Sequence, residues 1–515
     1  MADVQVDTLG TFVSSLFQVL QWPTFGFMLI GMFIGFWVGI LPGIGGGTTL
    51  ALMLPFVFTM DPVTAFVFLL GMRAVTNTTG DITSVLFGVP GEGTSAATVF
   101  DGYPMTKNGQ AGRALGIVLF SSLVGAVFGA LFLALSVPFV RPIVLSFGPP
   151  EFFMLAVLGL SFVASLSGVS IVKGLMMGGF GMLLATVGQD PGTARLRFTF
   201  GEPYLFDGIN LVPVAIGLLA VPSIIEMMAT KTSIARSGVH DVSGSFEGVK
   251  DNLRHWWLNI RCGVIGVFIG VVPGIGGGAA QFVAYAHALQ TSRHKEEFGR
   301  GSPEGLIAAG SVNNSKEGGD LLPTLAFGIP GSAGMAILLG AFLITGITPG
   351  PAMLTTNLHV TFAMVWTIVV ANIIVVAFCF LFIRQLAWIT FVKGSILVPY
   401  LVFLIAVGSY TANNAWGDII MMMIFGAAGW VAAQWRWPVA PLLLGLVLGD
   451  MTERNYFLSY SLYGFSWLGR PLVVGIAIVT ILGLAWPLIQ ERLDRRAAGR
   501  RPAVAPPQEV QVAAG

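Results

Sequence analysis

The sequence predicts an all-α polytopic membrane protein made of two homologous repeats, and three observations predict this fold class. Of 515 residues, 55% are hydrophobic and only 10% are charged, against roughly 25% charged residues in an average soluble domain. Apolar stretches recur along the whole chain, and two glycine-rich motifs each occur twice in the same order. We expect about 11 or 12 transmembrane helices plus re-entrant or broken helices.

The helix count comes from the apolar stretches, because a transmembrane helix needs about 20 apolar residues. Several of these stretches are too short to span a bilayer alone, which is typical of broken or re-entrant helices. The stretches lie near 24–41, 114–140, 152–170, 172–188, 209–228, 257–272, 321–345, 360–383, 395–409, 418–435, 438–449 and 471–489.

Charge and cysteine content exclude several other classes of protein. With 26 Lys and Arg against 25 Asp and Glu, the net charge is +1, so no broad basic face for nucleic acid is expected. Cys262 and Cys379 are the only cysteines and lie in apolar surroundings, which favours neither a disulfide framework nor a thiolate metal site.

The first 23 residues contain Asp3 and Asp7 but no Lys or Arg, so the basic leader of a cleaved signal peptide is missing.

The internal repeat is carried by two motifs. Leu-Pro-Gly-Ile-Gly-Gly-Gly at 41–47 recurs as Val-Pro-Gly-Ile-Gly-Gly-Gly at 272–278, and Phe-Gly-Val-Pro-Gly at 87–91 recurs as Phe-Gly-Ile-Pro-Gly at 327–331. Because the order is kept, an accidental match between glycine-rich segments is a poor explanation. Between the motifs, the sequence aligns Gly80-Asp81 with Gly319-Asp320.

The polar segments divide the chain and orient it. Basic residues in the inter-repeat loop and in the tail predict that both are cytoplasmic, whereas the N-terminus, which lacks basic residues, is expected to be periplasmic. The two repeats would then have inverted topology, as in many secondary transporters. The predicted units are a first membrane repeat at 1–230, a cytoplasmic loop at 231–256, a second membrane repeat at 257–455, an appended helix at 456–490 and a basic, then disordered, tail at 491–515.

Each glycine-rich motif predicts a helix break inside the membrane. Proline removes a backbone donor and each glycine costs about 1 kcal/mol relative to alanine in a helix. Freed carbonyl groups there could coordinate Na⁺; the alternative is tight helix packing through small residues. The residues assigned to the breaks and to a possible Na⁺ site are Pro42, Gly43, Gly45, Gly46, Pro273, Gly274, Gly276 and Gly277.

Residues 274–279 loosely match a dinucleotide-binding fingerprint, but the context argues against a nucleotide site. The flanking sequence is continuously apolar, whereas that fingerprint needs a preceding strand and a following acidic residue. No phosphate loop, paired catalytic Asp motif, Cys-His pair or zinc spacing is present in the sequence. We therefore expect neither an enzyme nor a bound organic cofactor.

Two polar stretches follow predicted helix starts. Asp61-Pro62 and Ser302-Pro303 each have the form of an N-cap followed by proline at the first helical position. The helices they begin run into Thr-Asn-Thr-Thr-Gly-Asp at 76–81 and Asn-Asn-Ser-Lys-Glu-Gly-Gly-Asp at 313–320. We predict that each polar stretch is a hairpin tip at membrane depth; the alternative is a solvated loop between spanning helices.

Such tips would supply the amide, hydroxyl and backbone N–H donors that an anion needs. Lys316 could attract a substrate carboxylate directly, or could instead pair with Glu317 or Asp320. The substrate-binding candidates are Asn77, Thr78, Thr79, Asn313, Asn314, Ser315, Lys316, Gly91 and Gly331. The candidates for a coupling proton or sodium ion are Asp81, Glu92 and Asp320.

Taken together, the motifs at 39–47, 87–96, 272–278 and 313–331 resemble those of the large membrane subunit of tripartite tricarboxylate transporters. The resemblance covers most of residues 20–490. It implies a permease in the bacterial inner membrane that imports a small carboxylate by sodium or proton symport. It also implies two partners, a small membrane subunit and a periplasmic solute-binding receptor. The rival function is a gated anion-conducting pore without ion coupling.

Overall fold

Helices form nearly all of the computed structural model, and the all-α membrane fold is confirmed. The structure describes residues 7–40, 45–166, 170–190, 193–229, 243–273, 276–383, 385 and 398–498. Within these ranges the only β structure is a short antiparallel hairpin, in which Gly188–Gln189 pairs with Leu196–Arg197.

The helices are numbered here in chain order. The first half contains α1 Thr8–Leu20, α2 Thr24–Ile40, α3 Gly46–Met53, α4 Pro62–Phe87, α5 Val99–Lys107, α6 Ala111–Leu145, α7 Pro149–Leu166, α8 Ile171–Ala185, α9 Leu211–Ala215 and α10 Val221–Ala229. The second half contains α11 Ser245–Arg254, α12 Trp256–Val271, α13 Gly276–Thr291, α14 Pro303–Phe327, α15 Ala333–Ile344, α16 Leu358–Leu381, α17 Val398–Tyr410, α18 Trp416–Gln434, α19 Ala440–Tyr463 and α20 Pro471–Ala498.

The structure has fewer long apolar helices than the sequence has apolar stretches, so most of these stretches do not form a single spanning helix. Within the described ranges, α6, α16 and α18 are long and apolar enough to cross a membrane singly. The pair α1 and α2 passes the same test together but is bent by 68°. Eight shorter apolar helical segments of 10–17 residues accompany them, which is typical of a fold with broken and re-entrant helices.

Two long buried helices, α4 and α14, occupy the centre of the molecule. The predicted helix starts are confirmed: Asp61 caps α4 by accepting from the Thr64 N–H, and Ser302 caps α14 by accepting from the Gly305 N–H. Both helices end at a left-handed glycine, Gly88 with φ 69° and Gly328 with φ 70°. A residue with a side chain would be strained in that conformation.

The prediction that the polar stretches form hairpin tips is wrong. Residues 76–81 and 313–320 lie inside the continuous helices α4 and α14, and all of them are buried. They are not solvated loops either. The chain turns later, after Gly88 and Gly328, where the Pro-Gly motifs lead into Gly93–Ser95 and α15. Polar groups can be carried by an intramembrane helix because the neighbouring helices supply their hydrogen-bond partners.

At both glycine-rich motifs one helix ends just before the motif and the next begins within it. α2 ends at Ile40 and α3 begins at Gly46 with Gly45 as its N-cap, while α12 ends at Val271 and α13 begins at Gly276. Of the other break candidates, Pro273 follows α12 and Gly277 belongs to the first turn of α13. Pro42, Gly43 and Gly274 lie outside the described residues.

The two halves use corresponding contacts. Gly35 on α2 lies against the Met72 carbonyl of α4, and Gly266 on α12 lies against the Val312 backbone of α14. Likewise, Gly91 packs against Gly80, and Gly331 packs against Asp320. By these contacts Gly80 in the first half is equivalent to Asp320 in the second half. The sequence alignment of Gly80-Asp81 with Gly319-Asp320 is therefore wrong by one residue.

The halves also interlock. α14 of the second half packs lengthwise on α6 of the first, with Gly125 against the Ser311 carbonyl and Gly129 against Ser315. Close approach of backbones through small residues is how membrane helices gain van der Waals contact without a hydrophobic driving force. The central helix of the second half is therefore seated on the first half.

A carboxylate clamp ties the halves together at one end of the molecule. Asp101 on α5 is fully buried, and its Oδ1 accepts from the backbone N–H groups of Gly299, Gly301 and Ser302 at 2.8–3.0 Å. Its Oδ2 accepts from the Tyr285 hydroxyl at 2.8 Å. This clamp holds the segment before α14 against α5 and α13.

Candidate functional site

An ion pair joins the two central helices. Arg73 on α4 donates from Nε to Glu317 Oε2 at 2.9 Å and from Nη2 to Glu317 Oε1 at 3.0 Å. Asn77, one turn along α4, donates from Nδ2 to the same Glu317 Oε1 at 2.7 Å. The two charged side chains are only 6% and 4% exposed, so neither charge is compensated by bulk water.

Lys316 lies beside this pair without a close partner. Its Nζ is 3.9 Å from Glu317 Oε1, the side chain is 2% exposed, and no hydrogen-bond partner for Nζ occurs among the described residues. A buried ammonium group without hydrogen bonds is costly. Lys316 thus contacts neither Glu317 nor Asp320 as closely as an ordinary ion pair would, which leaves it available to an anion.

Other buried polar atoms near the same helices share this property. Burying a polar group without a partner costs several kcal/mol on the harsher scales, so a cluster of such atoms is typical of a site that binds a ligand, an ion or water. Within the described ranges, the buried atoms without a hydrogen-bond partner include Asn77 Oδ1, Glu92 Oε2, Thr94 Oγ1, Asn313 Oδ1, Asn314 Oδ1, Ser315 Oγ, Lys316 Nζ and Ser332 Oγ.

Two helix N-termini converge on Arg73. A methyl group added at Gly46, the first residue of α3, would lie 3.6 Å from Arg73 Nη1 and 3.3 Å from Glu92 Oε1. One added at Gly334, in the first turn of α15, would collide with the Arg73 guanidinium. Because helix N-termini favour negative charge, Arg73, Lys316 and the two helix starts are the positive groups of this region, and Glu317, Glu92 and Asp320 are its carboxylates. We call these side chains, with Asn77, the central cluster.

Asp81 and Asn313 lie next to this cluster and are bonded to each other. Asp81 accepts from Asn313 Nδ2 at 2.9 Å and from Thr98 Oγ1 at 2.7 Å, and Asn313 Nδ2 also donates to the Asn77 carbonyl at 2.8 Å. Both oxygens of the Asp81 carboxylate therefore have donors. Asp81 links α4 to α14 and to the chain before α5.

Asn314 belongs to a separate interhelical network. Its Nδ2 lies 2.8 Å from Thr78 Oγ1, 2.7 Å from Ser122 Oγ and 2.7 Å from Asn372 Oδ1. These groups come from α4, α6 and α16, so four helices meet at one amide. Thr78 Oγ1 also donates to Asn372 Oδ1 at 2.9 Å.

The remaining candidates line the packed interface around these groups. Thr79 donates to the Val75 carbonyl at 2.8 Å and packs against Gly39. Gly91 and Gly331 lie against the carbonyls of Gly39 and Gly270, close to the helix breaks. Asp320 is 4% exposed and packs beside Gly331. Among the described residues, no three His, Cys, Asp or Glu side chains are grouped as metal ligands.

Several residues of the site were not singled out by sequence reasoning. Ser122, Thr98 and Asn372 complete the networks of Asn314 and Asp81, and Gln281 Oε1 accepts from the Ala97 N–H at 3.2 Å. Asn372 had a usable signal, because it is an amide in an otherwise apolar stretch, where polar residues are expected to face protein partners. Ser122 and Thr98 had none, since hydroxyls are common in membrane helices.

Comparison with known proteins agrees with the motifs. Residues 25–444 match the tripartite tricarboxylate transporter TctA family. The chain is 35% identical over 426 residues to an Agrobacterium vitis protein described as "Uncharacterized 52.8 kDa protein in TAR-I ttuC' 3'region", covering 83% of this chain and 85% of that relative. It is 32% identical over 190 residues to a second Agrobacterium vitis protein, "Uncharacterized protein in TAR-II ttuC' 3'region", covering 37% of this chain and 78% of that relative.

No solved structure matches the chain. The predicted resemblance is confirmed by the extent of the family match, which includes both glycine-rich motifs, both Pro-Gly motifs and all of α4 and α14. The chain is a member of the tripartite tricarboxylate transporter TctA family, a family of transport proteins of the membrane.

Proposed function

We propose that this chain is the permease subunit of a receptor-dependent secondary active transporter that imports a small, tricarboxylate-like anion by sodium or proton symport. The observation that carries the proposal is the central cluster, where Lys316 Nζ is buried without a hydrogen bond beside Arg73 and two helix N-termini. Such a region favours a carboxylate ligand.

The roles of the residues follow from their contacts. Arg73, Lys316, Asn77 and the first-turn N–H groups of α3 and α15 would form the donor-rich site that attracts the substrate carboxylates. Glu92, whose Oε2 is buried without a hydrogen bond, and Asp320 would take the coupling proton or sodium ion. Asp81, with both oxygens occupied, and Asn314, with its amide nitrogen occupied, would act by holding the helices in register.

The proposed partners are a small membrane subunit and a periplasmic receptor, and the membrane is the bacterial inner membrane. The clamp end carries Lys107, Arg113, Lys250, Arg254 and Arg300, with Arg113 bonded to Asp251 at 2.7 Å and Asp101 bonded to Ser302. By the positive-inside rule, this end would be cytoplasmic. The N-terminus would be periplasmic and the C-terminal tail cytoplasmic, with the two repeats inverted.

The test is uptake of [14C]citrate and [14C]succinate into proteoliposomes that contain this chain, its small membrane subunit and its receptor. A symporter accumulates the anion against its gradient, and a sodium or proton ionophore abolishes the accumulation. A gated pore passes the anion only down its gradient, with no effect of the ionophores. Absence of uptake for every carboxylate that the receptor binds would remove the carboxylate assignment altogether.

Asn77→Ala tests whether the Asn77 side chain is needed for substrate uptake. Its side chain joins Glu317 on one side and leaves Oδ1 unpaired on the other, so we expect uptake to be lost at normal membrane expression. Retained uptake at normal affinity would remove Asn77 from the site. Thr480→Ala is the matched control, because Thr480 on α20 donates only to the Ile476 carbonyl of its own helix and lies far along the chain from the cluster.

A further inference from the structure

Glu317 holds Arg73 as a ligand carboxylate would. Both oxygens of Glu317 engage the guanidinium, through Nε and Nη2, at 2.9 and 3.0 Å. A two-point fork of this kind fits the planar carboxylate group, and it is stronger and more selective than a single contact. The same fork is therefore available to the carboxylate of a small anion once Glu317 leaves it.

A second cation is placed to receive Glu317. Lys316 Nζ is 3.9 Å from Glu317 Oε1 and has no hydrogen-bond partner among the described residues. Because charge-assisted N–H···O bonds are about 2.7–2.9 Å long, a shift of about 1 Å would complete the bond. Asn77 Nδ2 bonds the same oxygen at 2.7 Å and could keep its bond through such a shift.

We propose that Glu317 is an internal stand-in for the substrate carboxylate: the substrate displaces it from Arg73, and Glu317 moves to Lys316. This inference rests on the proposed function and adds the residue that competes with the substrate. The exchange leaves no buried charge alone. Before binding, Arg73 is neutralised by Glu317 and Lys316 has no hydrogen-bond partner among the described residues; afterwards, Arg73 is neutralised by the substrate and Lys316 by Glu317.

The exchange also gives Glu317 a part in selecting substrates. A neutral molecule, or one that offers a single donor-acceptor group, cannot replace a two-point carboxylate on Arg73. Such a molecule would leave a buried guanidinium uncompensated, which is strongly unfavourable. The site would therefore reject alcohols and amides of the same shape as the substrate, because they cannot displace Glu317.

The test is equilibrium binding of [14C]citrate and [14C]succinate to the purified chain in nanodiscs. Removing the competitor by Glu317→Gln should lower the Kd at least tenfold, and Glu317→Asp, which keeps the charge but is one methylene shorter, should lower it less. If E317Q fails to fold, E317D alone still tests the proposal. The double variant R73Q/E317Q should not show this gain in affinity, because it also removes the guanidinium to which the substrate would bind.

Asp418→Asn is the matched control for charge, since it removes a fully buried carboxylate that is bonded to Tyr204 and Asn413 and not to Arg73. A gain in affinity in D418N as large as that in E317Q would mean that the loss of any buried negative charge suffices, and would overturn the proposal. Equal or weaker binding by E317Q and E317D would also overturn it. If neither the wild type nor any variant binds citrate or succinate while the complete transporter still takes them up, this inference alone fails. If the complete transporter also takes up no carboxylate that the receptor binds, the proposed function itself fails.

Discussion

Arg73 Nε and Glu317 Oε2 lie 2.9 Å apart at the crossing of the two central helices, and each residue comes from a different half of the chain. Breaking a buried ion pair from one side leaves a charge without compensation and costs about 3–5 kcal/mol, whereas replacing both partners with apolar residues is often neutral. This asymmetry gives the first prediction.

Arg73→Met should lower the free energy of unfolding of the purified protein by about 3–5 kcal/mol, and R73M/E317L should recover most of that loss. Thermal unfolding in detergent, followed by a thiol-reactive dye at Cys262 and Cys379, measures both. The matched control is the partly exposed pair Arg197–Glu453, with N···O 2.6 Å, whose loss should cost about 1 kcal/mol or less. Equal losses in R73M and in the double variant would contradict the prediction.

Asn314→Ala should destabilise the fold by more than one hydrogen bond is worth, because its amide lies within bonding distance of three groups on three other helices. Each polar atom left buried and unpaired costs about 1–3 kcal/mol. The same unfolding assay measures the loss, and Ser136→Ala, whose hydroxyl bonds only the Leu133 carbonyl, is the control. A change no larger than that of S136A would show that the network contributes little.

Asp101→Ala should open the clamp, because it leaves the N–H groups of Gly299, Gly301 and Ser302 without their shared acceptor. At about 1–3 kcal/mol for each unsatisfied group, we expect at least tenfold faster trypsin cleavage after Lys295 and Arg300. Tyr285→Phe removes a single bond to Asp101 and should have a much smaller effect. Unchanged cleavage in D101A would show that the segment is held by other contacts.

Gly35→Ala should destabilise the protein by about 1–3 kcal/mol, since the added methyl group would overlap the Met72 carbonyl and force α2 away from α4. Gly475→Ala is the control within a helix: no atom of the described residues lies within 4 Å of the added methyl group. There the substitution should be neutral or stabilising by up to about 1 kcal/mol. Thermal unfolding of the two variants side by side decides between packing and helix propensity as the role of Gly35.

The fold class and the positions where helices start or are interrupted could be predicted from the sequence. The caps Asp61 and Ser302 lie where predicted, because an N-cap and its proline are neighbours in the chain and their interaction is local. The interruptions around the glycine-rich motifs follow from the same local chemistry, since proline and glycine act on the residues next to them.

The continuity of α4 and α14 could not be predicted in this way. A polar run inside an apolar region was interpreted as a tip or a loop, because no partner is visible within the segment. The partners come from far away in the chain: Thr76 Oγ1 lies 3.2 Å from the Gly35 carbonyl, and Asn77 bonds Glu317. The pairing of Arg73 with Glu317 and the role of Asn372 could not be predicted either, because in each case the bonded residues are far apart in the chain. The polar candidates on α4 and α14 are buried, but the sequence does not show which of them touch.

The ion pair between Arg73 and Glu317 also constrains how the protein is made. The two residues are 244 positions apart in the chain, and at about 5–20 residues per second Glu317 leaves the ribosome on the order of 10–50 s after Arg73. During that interval Arg73 lacks the carboxylate that bonds its guanidinium at two points and has only carboxylates of its own half, such as Glu92, nearby, and a poorly compensated charge is unstable in the bilayer. We therefore expect α4 to insert late, or to remain shielded by the insertion machinery, until the second half arrives.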